Sequence, residues 1–145
     1  MVSVTTAPAL ALEEAAKLHG HKGPWLVLGY RAGARACEVF DPNDEFSLYC
    51  IVKTPLRTPY TCAVDGIQAS TRCTLGKLSI RLEEASTDNI IYIFIDRKSG
   101  RRLELKLRPS AVKWIEELCR KDMSEAARRV EEESLWKLFE EKLYG

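Results

Sequence analysis

The sequence is short of the residues from which metal clusters, nucleic-acid grips and membrane spans are built. Of its 145 residues only two are histidine and five are cysteine. No two cysteines form CxxC, so neither a zinc ribbon nor an iron–sulfur run is encoded. There is no basic excess, since 22 Lys and Arg face 21 Asp and Glu for a formal charge of +1. A nucleic-acid binder usually carries such an excess, so no nucleic-acid partner is expected. No apolar run approaches the ~18 residues of a membrane span, and no membrane partner is expected. The first fifteen residues lack a basic start and hold Glu13 and Glu14 beside a short apolar patch. A secretory signal is therefore not expected, and the chain is assigned to the cytoplasm. Five cysteines at irregular spacing (Cys37, Cys50, Cys62, Cys73 and Cys119) do not make a disulfide framework.

What remains is an ordinary globular composition. A hydrophobic content of 46%, with three Trp, five Tyr and four Phe, is ample for one core, and the length suits a single domain over residues 1–145. There is no internal repeat and no linker.

Apolar positions at three- and four-residue spacing predict a helix from Leu10 to about Leu18. His19-Gly20-His21-Lys22-Gly23-Pro24 breaks it, and Pro24 suits the first turn of a second helix running to about Phe40. Phe46 to Lys53 reads as a strand, and a short helix from about Cys62 to Thr71 follows. Leu78, Ile80 and Leu82 alternate with polar residues, as do Leu103, Leu105 and Leu107, which is the period of half-buried strands. Ile90 to Ile95 is apolar on both faces and belongs at the centre of a sheet. The turns Ser86-Thr87-Asp88-Asn89 and Lys98-Ser99-Gly100 suggest that these three strands form an antiparallel meander. A helix opens at Pro109 and Ser110, and a last helix carries Met123 through Phe139. The expected class is α+β, with a mostly antiparallel sheet of about four strands packed against the N-terminal helices and two helices at the C-terminus. The stripe of Leu135, Trp136, Leu138 and Phe139 is wider than one small sheet needs, which suggests a homodimer.

Two segments hold the residues that packing does not explain. His19 and His21 flank a glycine at the mouth of a helix, where two imidazoles can hold a metal or an anion; the plain alternative is a capping histidine in a glycine-rich connection. In Thr61-Cys62-Ala63-Val64-Asp65-Gly66-Ile67-Gln68, a thiol at a helix N-terminus is placed to become thiolate, with Asp65 and Gln68 on the same face. Otherwise Cys62 is a buried filler and Asp65 a partner of the helix dipole. Thr74-Leu75-Gly76-Lys77 is not a Walker A loop, because Thr71 and Leu78 stand where that motif needs Gly and Ser or Thr. Lys77 can still meet an anion. Gly29 and Gly33 suggest close helix packing, and Arg31 between them can point into a cleft. Cys37, Cys50 and Cys119 read as small hydrophobes.

Together these segments are recognisable. His19 to Gly33 resembles the HGHxCPGLxLGxRxG signature of the family named for the E component of formylmethanofuran dehydrogenase. Cys62 to Gln68 followed by Thr71 to Lys77 resembles its CxVDAIQxxTGCTxGKG block. The resemblance spans roughly residues 10–110, leaving 111–145 as C-terminal helices without the treble-clef zinc finger of some members. Gly23 stands where the family has Cys, Trp25 where Gly follows the Pro, Arg72 where Gly precedes Cys73, and Leu78 where a second Gly is usual.

The resemblance implies a dimeric α+β core whose motifs line one cleft, linked to one-carbon metabolism of the methanogenesis type and to the other components of a dehydrogenase complex. No pterin or iron–sulfur cluster is expected on this chain. Two roles compete. One is an accessory module that binds a ligand or metal. Its metal would be zinc, held weakly or in part by His21 and Cys62, with His19 or Cys73 as further ligands. The other is a small thiol- or zinc-dependent enzyme for an anionic substrate. There Cys62, Asp65 and His19 are catalytic, and Arg31, Gln68 and Lys77 bind substrate.

Overall fold

A computed structural model describes residues 8–145 of the chain. Helix α1 spans Leu12–His19 and α2 spans Pro24–Phe40, the latter opened by Pro24 in its first turn. Strand β1 (Leu48–Thr54) leads to α3 (Cys62–Thr71), then to β2 (Ile80–Glu84), β3 (Ile91–Asp96) and β4 (Arg102–Leu107). Helices α4 (Pro109–Lys121), α5 (Met123–Glu132) and the single turn α6 (Leu135–Leu138) precede a final strand, β5 (Phe139–Tyr144).

The α+β class and the mostly antiparallel sheet agree with the sequence reading, but two details differ. The sheet has five strands in the order β2-β1-β3-β4-β5, so the apolar residues assigned to one last helix divide between α5, α6 and a strand. Phe139 to Tyr144 pairs antiparallel with β4, with Leu107 opposite Phe139 and Leu103 opposite Leu143. In addition, β2 is not part of the meander. It pairs parallel to β1, Cys50 opposite Ile80, while β3 joins the other side of β1. The physical reason is α3, a helical crossover between β1 and β2 of the kind parallel neighbours need. The β3–β4 hairpin is antiparallel, as expected.

The core lies on one face of the sheet. Cys50 and Val52 of β1, Tyr92 and Phe94 of β3, and Leu103 and Leu105 of β4 meet Leu28 and Ala32 of α2, Ile67 of α3 and Ile115 of α4. Leu138 and Phe139 are buried in that core. Trp136 is 49% exposed, but the Arg35 guanidinium lies 5.1 Å from its ring centre. Leu138 and Phe139 of that stripe are therefore core, while Leu135 is half-buried and Trp136 remains exposed.

Helix α2 lies directly on α3, where glycines allow backbone to touch backbone. A Cβ on Gly29 would sit 2.0 Å from the Ala63 carbonyl oxygen, and one on Gly66 would sit 2.2 Å from that of Leu26. Such contacts leave no room for a methyl group, and they set the position of α3 relative to the N-terminal helices.

Two departures from the resembled glycine pattern fall where the backbone is left-handed. Arg72 caps the end of α3 at φ 67°, and Leu78 stands at φ 54° just before β2. For an L-residue that conformation costs about 1–2 kcal/mol, which glycine avoids. Leu78 is also 76% exposed.

Candidate functional site

The end of α1 and the start of α3 meet at a small cleft. Gly20, at φ 118°, terminates α1 in the left-handed conformation, so His19 is the last helical residue and its ring reaches across to α3. There His19 Nδ1 lies 2.6 Å from Asp65 Oδ2. In the neutral tautomer that donates Nδ1–H to Asp65 Oδ2, the lone pair is on Nε2. Among the described residues His19 Nε2 is buried and has no hydrogen-bond partner. A carboxylate behind one ring nitrogen fixes the imidazole's orientation, and a buried ring nitrogen without a partner is an unusual feature that calls for an explanation.

Asp65 is itself held in place. Gln68 Nε2 donates to Asp65 Oδ1 at 3.4 Å, and the Leu75 backbone N–H donates to Gln68 Oε1 at 2.9 Å. A chain of hydrogen bonds thus runs from His19 through Asp65 and Gln68 to the turn after α3, joining the two sequence motifs. The loop carrying His21 is tied down by Lys22, whose Nζ is 2.8 Å from Glu131 of α5 and 3.3 Å from Glu13 of α1. The ring centres of His19 and His21 are 5.0 Å apart.

The cleft holds about 290 Å³ and is lined by His19, Asp65, Cys62, Thr58, Thr61 and Leu82 among others. Cys62 opens α3 but does not find the free amides expected there. The Cys62 N–H donates to Pro59 O, Ala63 N–H to Tyr60 O and Val64 N–H to Thr61 O. The preceding turn has consumed the donors that would stabilise a thiolate. Burial, and then the Asp65 carboxylate, push the Cys62 thiol up from its ordinary value. Alkylation of Cys62 by iodoacetamide at pH 7 is accordingly expected to be slower than that of an unstructured cysteine peptide. A faster rate would show an activated thiol.

The other residues singled out by sequence lie elsewhere. Cys73 is buried, with its Sγ donating to Leu48 O at 3.3 Å. Arg31 donates from one guanidinium nitrogen to Val130 O at 2.9 Å and to Glu133 O, tying α2 to the end of α5. Lys77 Nζ donates to Arg72 O and to Thr74 Oγ1. Gln68 supports Asp65 from α3. Cys37 and Cys50 are buried and Cys119 partly so, and burial pushes the Cys37 thiol up to about 12. Thr58 and Leu82 were not singled out by sequence. Leu82 reads there only as a strand position, and nothing in a single sequence places an edge strand beside the end of α1.

His19 and Cys62 border this cleft and His21 lies beside His19, outside the lining; imidazole and thiol donors suit zinc better than magnesium or calcium. Among the described residues no three His, Cys, Asp or Glu side chains are grouped as metal ligands. Two donors in the lining fall short of the four protein ligands of a closed structural zinc site, so water would have to supply the remainder of any coordination.

The fold and cleft define a small α+β protein with a carboxylate-backed histidine at a helix–helix junction. The chain belongs to the FmdE family, described as molybdenum formylmethanofuran dehydrogenase operon, whose family model matches residues 18–144. The match runs through α4, α5 and β5, so the C-terminal elements are part of the family domain. No curated protein matches the chain. Among the described residues no helix is long and apolar enough to cross a membrane.

Proposed function

We propose that the protein is an accessory, ligand-binding module associated with formylmethanofuran dehydrogenase, and that its cleft takes zinc through His19. The observation that carries this reading is the buried, unpartnered Nε2 of His19, with Nδ1 fixed by Asp65. His21 and Cys62 are the neighbouring donors, and water would complete the coordination. Bound zinc would supply a Lewis acid. The chain's own part is to fix the tautomer of His19 through Asp65 and to hold Asp65 through Gln68.

A thiol nucleophile has less support, because the Cys62 thiol is pushed up and its helix donors are already engaged. The family's link to a dehydrogenase operon favours a module that works beside an enzyme over a complete active site on this chain.

The test is a zinc titration of untagged protein by calorimetry. Weak binding is expected in the wild type, lost in His19→Ala and weakened about 10–100-fold in Asp65→Asn, the usual effect of removing a carboxylate behind a ligand histidine. Zinc binding that is the same in all three proteins would refute the proposal.

A further inference from the structure

A second groove has Gln68 in its lining. It holds about 290 Å³, close to the ~300 Å³ at which small-molecule sites begin, and runs between α1 and the C-terminal end of α3. Leu10, Leu18 and Ala69 give it apolar walls, and Arg72 and Lys77 stand in its lining against a single acid, Glu45. The wall is fixed by backbone. The N–H groups of Ala9 and Leu10 donate to the carbonyls of Ser70 and Ala69 at 3.0 and 3.1 Å, and Tyr30 Oη donates to Leu10 O at 2.6 Å. Two of the last carbonyls of α3 are thereby engaged, which reduces the negative character of the helix end facing the groove.

The two cations are placed in a way that packing does not explain. Arg72 holds a left-handed backbone at φ 67°, and its guanidinium makes no hydrogen bond or ion pair among the described residues. Lys77 uses two of its three N–H bonds on Arg72 O and Thr74 Oγ1, which leaves one for an incoming oxygen. A strained cation and one with a single free N–H beside exposed leucine (Leu18 is 69% exposed) form an amphipathic recess.

We propose that this groove binds an apolar anion of the medium-chain carboxylate class, with its charge at Arg72 and Lys77 and its chain against Leu10, Leu18 and Ala69. Guanidinium and ammonium donors recognise the carboxylate, and the apolar walls remove the chain from water. The site is separate from the His19 cleft and needs no metal.

Calorimetric titration with octanoate and with octanol, both in the presence of a chelator, tests it. Octanoate is expected to bind at least tenfold more tightly than octanol. Arg72→Gly keeps the fold, since glycine suits that backbone, and is expected to melt no lower than the wild type. In it the preference for octanoate should shrink at least fivefold, whereas Lys77→Arg should retain the preference. Leu18→Ser should weaken both ligands. Equal binding of acid and alcohol, no octanoate binding at millimolar concentration, or an unchanged preference in Arg72→Gly would each overturn the proposal. Because no zinc is present, these outcomes are independent of the zinc titration.

Discussion

Gly29→Ala and Gly66→Ala are expected to be the most damaging single methyl additions in the protein, each lowering its stability by about 3 kcal/mol. The methyl on Gly29 would meet the Ala63 carbonyl oxygen at 2.0 Å and its carbonyl carbon at 2.7 Å; that on Gly66 would meet Leu26 O at 2.2 Å and the Tyr30 nitrogen at 2.5 Å. These obstacles are backbone atoms, so no rotamer change relieves the clash and the two helices must separate. Overpacking of this kind costs about 1–3 kcal/mol or more. The opposing gain from alanine's helix propensity is about 1 kcal/mol, so the clash wins. Against a total stability of about 5–15 kcal/mol, the loss should move the urea midpoint clearly. Gly76→Ala is the control, because nothing lies within 4 Å of its added Cβ. Midpoints unchanged in Gly29→Ala and Gly66→Ala would show that α2 and α3 are not in backbone contact. Since α3 carries Asp65, separating the helices should also break its 2.6 Å bond to His19.

The parts of this molecule that were legible in the sequence are those governed by local periodicity and by proline and glycine. Pro24 marks the start of α2, Cys62 and Thr71 bound α3, and the doubly apolar Ile90–Ile95 segment corresponds to a strand at the centre of the sheet. The glycine pair in α2 also signalled close helix contact. The parts that were not legible depend on pairing at a distance. An apolar stretch such as Leu135–Phe139 satisfies a helix face and a buried strand start equally. Only the ladder between β4 and β5 decides between them. The parallel pairing of β2 with β1 was hidden for the same reason, since alternation within a strand does not reveal which neighbour it takes.

At the site, residue types identified the histidine and the carboxylate separately, but their contact spans 46 residues of sequence. Cys62 shows the limit of a local argument. Its place at a helix start was read correctly, yet the turn from Pro59 to Thr61 had already filled the amides on which thiolate formation depends. Arg72 and Leu78 show the reverse case, in which departures from a glycine pattern became informative only when both proved to have positive φ.

Gly23→Cys is expected to tighten zinc binding at least tenfold, equivalent to ~1.4 kcal/mol. Gly23 is the residue before α2 and has extended backbone at φ −101° and ψ 166°, a conformation any L-residue adopts without strain. A Cβ built there lies 3.0 Å from His21 Nε2 and 3.3 Å from its Cδ2. Those atoms belong to an exposed side chain, so the ring can turn by the few tenths of an ångström required. A thiol would then sit beside the His21 ring, whose centre is 5.0 Å from that of His19, adding a soft donor to a site that lacks three grouped ligands among the described residues. Because the added thiol must lose a proton to bind, the gain should grow as pH rises from 6 toward the ordinary cysteine value of roughly 8.5. Competition with a chromophoric chelator measures the affinity, and cobalt substitution should show a thiolate-to-metal absorption band absent from the wild type. Adding His21→Ala to Gly23→Cys should remove most of the gain. If the folded Gly23→Cys protein binds zinc no better than the wild type and shows no thiolate band, position 23 does not face the metal-binding cleft, and the glycine there is a matter of backbone geometry alone.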